Sequence, residues 1–507
     1  MMKNKQYLFG AFISYFAIFF NIIAGLVYIP WMVGKIGQSN YALYTLATTF
    51  ISLFLVDFGL SSAVSRFVAK YRAEGQEEKA SDLLGIVTKL YLCIDAIIFT
   101  ILLVVYFFIS KIYKGLTADE IELYKKLYII VATYSVISFP FMPLPGVINA
   151  YEKFVPLKLC DLGQKVLTIL LVVVALLNNM DVIAVVSANA ISGLVFIVIK
   201  LIIIRLTTPV KYKFNVKNKQ LLKEIFGFSI WVTVISLAQR CIFNLAPTIL
   251  GILSTSKEIA LFAPANSLES YFYTIAAAVN GMFLAKISKY IADDKEEKIL
   301  DLMIKVGSYQ FVLLGLIMVG FISLGHDFMI LWMGKDYVGA WPCAILLFIP
   351  DILLFSQQIA NTTAIAKNKV KEMSFGYIGM AVVSLVISFI LCKKYGALGS
   401  AVAIMLAYFV LFICLNIIYY KHLKINVFEF FKKCYMKFIP SLVLSGVLGY
   451  FISNKLINIQ GWSGLIVKGI IVCALYFVCV FVIGFNKKDR NNILNFIKIK
   501  LHKKESN

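Results

Sequence analysis

The chain has 507 residues, 61% of them hydrophobic and 15% charged, with a formal net charge of +22. A mean hydropathy of +0.86 excludes an ordinary soluble domain, whose apolar share is roughly 45–50%. The basic excess fits loop residues beside an anionic inner leaflet, so no nucleic-acid partner is expected.

A hydrocarbon core about 30 Å thick needs about twenty apolar residues per helix at about 1.5 Å each. Fourteen such segments, numbered here in chain order, begin near Leu8, Tyr41, Leu84, Leu127, Leu157, Val182, Ile225, Ile259, Leu302, Val338, Met373, Ala397, Cys434 and Gly464. Segment 1 follows Lys3 and Lys5 as a signal peptide would, but it runs unbroken to Val33 with no small-residue cleavage site and reads as a retained helix. The expected fold is an all-α integral membrane protein of fourteen transmembrane helices. An even count puts both termini on one side. Of the 49 Lys and Arg residues, 35 fall in the loops on that side, ten in the alternate loops and four inside segments. The positive-inside rule then places both termini in the cytoplasm.

A block recurs at an offset of 219 residues: Lys70, Tyr71, Ala73, Glu77, Glu78, Lys79, Asp82 and Leu83 return as Lys289, Tyr290, Ala292, Glu296, Glu297, Lys298, Asp301 and Leu302. Ala42, Leu43 and Tyr44 are echoed by Ala260, Leu261 and Phe262. The offset carries the loop after segment 2 onto the loop after segment 8, so each half holds six helices. Six is even, which makes the repeat parallel, as in many transporters. The expected divisions are an N-terminal bundle over 1–206, a linker over 207–224 rich in lysine, a second bundle over 225–425, segments 13 and 14 over 426–486 and a basic tail over 487–507.

Little of the chain suggests bond-making chemistry. The longest outer loop, around Lys111 to Lys126, is too short for an aqueous domain. Nine scattered cysteines and the isolated His326, His422 and His502 form no metal-ligand spacing. There is no phosphate-binding glycine loop. Neither a cofactor nor a metal is expected, and the chain reads as a transporter rather than an enzyme, driven by H+ or Na+ or by the substrate gradient.

Polarity inside the segments carries more, because an ionisable group at mid-membrane costs about 2.5–3.5 kcal/mol on insertion scales. Segment 7 sets Ser229, Thr233, Ser236, Arg240 and Asn244 on one helical face. Segment 8 sets Asn266, Glu269, Ser270, Tyr273 and Asn280 close to one face. Two readings stand: Arg240 and Glu269 form a buried structural ion pair, or both faces line a hydrated cavity in which Arg240 binds an anion and Glu269 tunes it. The first half offers Ser14, Asn21, Gly25 and Tyr28 on segment 1, and Tyr41, Thr45, Thr48, Ser52, Gly59, Ser62 and Arg66 on segment 2. Arg66, at the cytoplasmic end, would meet an entering anion or serve as an ordinary flanking charge. Asp57 falls about 140° from that face, toward a neighbouring helix, which suits a conformational role. On segment 10, Asp351, Gln358 and Asn361 follow Pro350, which should kink the helix and make Asp351 a gating or ion-coupling point. Asp161 and Lys165, four apart, are expected to neutralise each other. Lys89, Asp95 and Lys468 should snorkel or pair, and Pro140, Pro143 and Pro145 should bend segment 4.

The run Ile36, Gly37, Tyr41, Val56, Asp57, Phe58, Gly59, Leu60, Ser61, Ser62, Ala63, Arg66, Ala69, Tyr71 and Gly75 resembles the signature of Wzx-type polysaccharide flippases, the O-antigen flippases of the multidrug/oligosaccharidyl-lipid/polysaccharide exporter superfamily. Length and the six-plus-six-plus-two layout extend the resemblance loosely over the whole chain. It implies two six-helix bundles around a cavity lined by segments 1, 2, 7 and 8, and a lipid-linked oligosaccharide on undecaprenyl diphosphate flipped outward by alternating access. It also implies partnership with polysaccharide polymerase and assembly machinery. On that reading Arg240 takes the diphosphate while Asn21, Asn244, Asn266, Asn280 and Tyr273 bond sugar hydroxyls. The alternatives are a cation-coupled multidrug or lipid II exporter of the same superfamily, a membrane-embedded transferase or polymerase, and a scaffold without transport.

Overall fold

The computed structural model describes residues 2–210, 219–278, 283–456, 459–486 and 490, without the side chains of 2–12, 14, 219–229 and 456. Most of the lysine-rich linker, the tail from Lys498 to Lys504, the candidate Asn280 and the side chains of Ser14 and Ser229 therefore lie outside the described residues. No β-strand occurs among those described. The first half runs α1 Met2–Ile36, α2 Gln38–Ser52, α3 Leu60–Ala73, α4 Glu77–Ile112, α5 Ala118–Ser138, α6 Leu144–Ala150, α7 Phe154–Leu177 and α8 Val182–Thr207. The second runs α9 Lys219–Leu253, α10 Ser256–Ala277, α11 Leu284–Ala292, α12 Glu297–Trp332, α13 Ala340–Ser356, α14 Gln358–Ala366 and α15 Val370–Leu423. The chain continues with α16 Val427–Phe430, α17 Met436–Phe451 and α18 Gly461–Cys479.

Ten helices among the described residues are long and apolar enough to cross a membrane, or eleven if the bent pair α13 and α14 is one span. The shortfall against fourteen expected segments has local causes. Segments 11 and 12 are joined in α15, where Gly396 (φ 53, ψ −130) interrupts the helical backbone. Segment 2 is split into α2 and α3, and the described parts of segment 8 are α10 and α11, on either side of residues 279–282, which lie outside the described residues.

The split in segment 2 follows from its sequence. Thr48, Thr49 and Ser52 bond back to the carbonyls of Tyr44, Thr45 and Thr48 at 2.8, 2.6 and 2.6 Å, a habit that loosens and bends helices. Phe58 and Gly59 then take left-handed backbone at φ 52 and φ 65, which glycine adopts without strain. Asp57 restarts the chain, its Oδ1 accepting the Ser61 amide at 3.2 Å. Against this restart packs α6, at Gly146, where an added Cβ would overlap the Ser61 carbonyl. Segment 4 is broken as its prolines suggest, through a 3-10 turn at Phe139–Phe141. Segment 10 differs from expectation. Pro350 sits inside α13, and the 54° bend comes at Gln357, where Ser356 Oγ turns to the Leu353 carbonyl at 2.9 Å.

The duplication is visible in the backbone. Left-handed residues occur in matched pairs, Gly75 with Asp294, Glu152 with Asn368 and Asn179 with Gly396, each close to the 219-residue offset. The repeated glutamates do corresponding jobs: Glu77 accepts the Tyr151 hydroxyl and Glu296 pairs with Lys367 at 2.6 Å, each gripping the loop after the broken fourth helix of its own half. Arg72 reinforces the first grip by lying 5.1 Å over the Tyr151 ring and donating to the Ala150 carbonyl at 3.1 Å.

The fold separates into two compact units, one of 1–264 with 374–407, the other of 265–373 with 408–507. The core of the first gathers Leu43, Leu46, Val64, Leu83 and Tyr91; that of the second gathers Phe272, Leu314, Phe348 and Phe438. Large apolar side chains also remain exposed along the long helices, among them Phe107, Val174, Leu206, Ile390 and Ile470, as lipid-facing surfaces require.

Candidate functional site

In the first unit the polar face of α9 meets the break between α2 and α3. Because α2 ends early, its last carbonyls lack helical partners, and α9 supplies donors. Arg240 Nη1 donates to the Ser52 carbonyl at 2.7 Å, and Thr233 Oγ1 to the Phe58 carbonyl at 2.6 Å. Asp57 acts on the Arg240 charge from the same break. Its Oδ1 accepts both Tyr91 Oη at 2.9 Å and the Ser61 amide, and Tyr91 Oη also donates to its backbone carbonyl at 2.9 Å. Asp57 thus meets a neighbouring helix, α4, as its angular position implied. Its loop geometry also brings it into the field of Arg240, which a helical projection cannot show.

Arg240 is half-buried. A guanidinium offers five N–H donors in a planar fork; one is spent on Ser52, leaving donors of the kind that bind phosphate oxygens in pairs. Asn244 sits one turn on, its Nδ2 on the Arg240 carbonyl at 3.3 Å. Asn21 on α1 bonds its own helix at Ala17, 2.8 Å away. Arg66 on α3 is exposed. Sequence reasoning missed Tyr91, the anchor of Asp57, and the Tyr44–Asn189 hydrogen bond. A tyrosine in an apolar helix was the available signal in each case, but tyrosine is common in membrane helices and does not name its partner.

The second unit holds the other candidates. Glu269 on α10 and Asp351 on α13 are 3% and 1% exposed and lie beside each other. Two carboxyl groups this close in a dry site cannot both ionise without a counter-cation. Among the described residues Asp351 Oδ2 has no hydrogen-bond partner. Tyr273 lies beside both carboxyls, its ring edge-on to Phe355 at 4.9 Å, while Phe272 stacks on Phe348 at 4.5 Å. Asn266 is half-buried one turn before Glu269. Glu269 therefore has an acidic partner where an ion pair with Arg240 was one of the two readings, and each of the two charges is engaged inside its own unit.

Other charges also pair differently from expectation. Asp161 turns to Lys200 at 3.2 Å and Lys158 at 4.0 Å rather than to Lys165, because Lys158 one turn before it and Lys200 on the adjacent α8 both reach its carboxylate. Lys468 pairs with Asp327 at 3.0 Å. Asp95 is buried with its Oδ1 unpartnered. Among the described residues no group of His, Cys, Asp and Glu is arranged to hold a metal ion.

The sequence profile of a family described as polysaccharide biosynthesis protein matches residues 8–283. The chain belongs to that family. The matched residues cover the whole first-unit site, from Asn21 through the helix break to Arg240. No curated protein sequence matches the chain. In three dimensions the family member resembles a lipid II flippase, MurJ, in an inward closed conformation, with a TM-score of 0.70 at 15% identity over 94% of this chain and 98% of that one. It also resembles a multidrug resistance MATE family transporter of the MOP superfamily in an inward-facing conformation, with a TM-score of 0.65 at 14% identity over 79% and 94% of the two chains. A MOP superfamily transporter from Pyrococcus furiosus, described as having a binding pocket of reverse polarity, matches with a TM-score of 0.58 at 13% identity over 81% and 92%. The fold is the one these multi-pass membrane transporters share.

Proposed function

We propose that the protein flips undecaprenyl-diphosphate-linked oligosaccharide repeat units from the inner to the outer leaflet of the bacterial cytoplasmic membrane, by alternating access, for surface polysaccharide synthesis. The observation that carries this reading is Arg240: a half-buried guanidinium deep in an apolar chain, fixed by one backbone carbonyl at a helix break and retaining donors for an anion. Family membership in polysaccharide biosynthesis supports it. Stripping water from a charged headgroup costs on the order of 20 kcal/mol per ion in the idealised limit, so unassisted crossing is negligible and a fixed cation inside the membrane supplies what water gave. Asn21, Asn244, Asn266, Asn280 and Tyr273 are proposed to bond sugar hydroxyls, and Arg66 to meet the anion as it enters. The prenyl chain stays in lipid.

The carboxyl pair Glu269–Asp351 is proposed to take up and release the coupling cation, with Asp57 transmitting conformational change at the helix break. The pair also favours a second reading, a cation-coupled multidrug or lipid II exporter, because a buried pair of carboxyl groups suits any coupled exporter. Loss of the protein in its host separates these. The flippase reading expects lipid-linked oligosaccharide to accumulate facing the cytoplasm with unchanged drug sensitivity. Drug hypersensitivity with normal surface polysaccharide would overturn it.

A further inference from the structure

A cavity of about 410 Å³ opens where the far end of α12 meets α17 and α18 in the second unit, away from the carboxyl pair. It is lined by Asp327, Ser453, Asn454, Gln460 and Lys468 among apolar neighbours such as Leu331 and Leu465. Lys468 is only 7% exposed, about two turns inside α18, and Ser453 is 1% exposed.

The donors and acceptors in this cavity do not balance. Lys468 Nζ has three N–H groups and spends one on Asp327 Oδ2 at 3.0 Å; among the described residues no acceptor takes the other two. Among the described residues Ser453 Oγ is buried without a hydrogen-bond partner. Lys468 and Ser453 are therefore short of acceptors. The Asp327 carboxylate beside Lys468 has a side chain 37% exposed, and its Oδ1 lies 3.5 Å from His326 Nδ1. With both charges present the cavity is close to neutral, which disfavours a purely anionic guest. A guest with an oxyanion for Lys468 and Ser453 and an ammonium for Asp327 satisfies both groups.

The surroundings place that guest at headgroup level. Phe328 stacks on Trp332 at 5.4 Å and meets Trp462 edge-on at 6.3 Å, an aromatic cluster of the kind found at membrane interfaces. Below it Ile466 and Ile470 are 61% and 65% exposed along α18, a track for acyl chains. On the orientation given by the loop charges this is the outer leaflet.

We propose that the cavity is a binding site for a zwitterionic phospholipid headgroup, a phosphodiester bearing a primary ammonium, with the phosphate on Lys468 and Ser453 and the ammonium on Asp327. The assignment does not rest on what the protein transports. The test is native mass spectrometry of the full-length chain titrated with phosphatidylethanolamine and phosphatidylglycerol. The wild type should retain the first about tenfold better, the size of one added charge-assisted bond. Asp327→Asn combined with Lys468→Met removes both charges and so strands neither in a buried place; it should bring the ratio close to one. Ser453→Leu keeps the ion pair but fills the cavity, and should lose the preference as well. A wild type that does not discriminate, or either variant keeping the preference, overturns the site. Soluble phosphoethanolamine should compete only far above the lipid concentration; equal potency would overturn the membrane lipid as the source.

Discussion

Replacing Arg240 by Ala removes the bond to the Ser52 carbonyl, the charge facing Asp57 and every donor available to an anion. The first two losses concern the fold. A hydrogen bond to a charged group contributes about 1.5–3 kcal/mol, and Asp57 keeps Tyr91 and Ser61 as partners, so the cost in stability should sit near 1.5 kcal/mol. The third loss concerns transport. Removing one charge-assisted contact to phosphate, again about 1.5–3 kcal/mol, should slow flipping by roughly 10- to 150-fold. Arg240→Lys keeps the charge without the planar fork and should restore part of the rate. The assay is transport of lipid-linked oligosaccharide by each variant, with thermal unfolding measured beside it. Wild-type rates in the Ala variant would refute the anion role. Equal losses in the Ala and Lys variants, tracking equal losses in melting temperature, would make Arg240 a structural clamp on the helix break.

The carboxyl pair predicts that Glu269→Gln with Asp351→Asn, which keeps polar shape while removing both ionisable groups, folds normally and loses stimulation by an ion gradient; unchanged stimulation in a vesicle assay would exclude the pair from coupling. Gly146→Val should destabilise the protein by about 1–3 kcal/mol, the usual cost of overpacking, because its side chain meets the Ser61 backbone rather than a flexible neighbour; thermal unfolding reads this. Glu77→Gln and Glu296→Gln should each cost about 1–2 kcal/mol, with similar magnitude in the two halves, since each ends the grip on its own loop. Asp57→Ala should lower transport more than stability, because Tyr91 retains the Asp57 backbone carbonyl as acceptor; a rate loss no larger than the fraction unfolded would contradict this.

The doubled architecture was legible because it rests on composition, segment length and a repeated loop, all of which survive without knowledge of packing. The fourteen segments were less secure. Segment 2 is apolar enough to place but broken enough to fail as a single span, since a run of hydroxyls and a left-handed Phe58–Gly59 pair end α2 early. The helix projection that located Arg240 also pointed Asp57 toward a neighbouring helix, but it could not show Asp57 near Arg240, because 100° per residue does not apply across a break. Arg240 and Glu269 were both visible as buried charges, whereas their partners were not. A carbonyl at a helix end carries no side-chain signal, and two acids from segments 8 and 10 become neighbours only through packing. Asp161 shows the same limit: sequence distance favoured Lys165, but Lys200 on the adjacent helix reaches it.

The most direct test is outward movement of a lipid-linked oligosaccharide in liposomes containing only the purified chain, followed by an added enzyme that modifies exposed sugars and cannot cross the bilayer. Within the time the wild type needs to expose the full substrate pool, Arg240→Ala should expose little beyond the half already facing outward. Full exposure within that time in protein-free liposomes or in the Ala variant, or none beyond the initial half with the wild type, would contradict the anion role of Arg240.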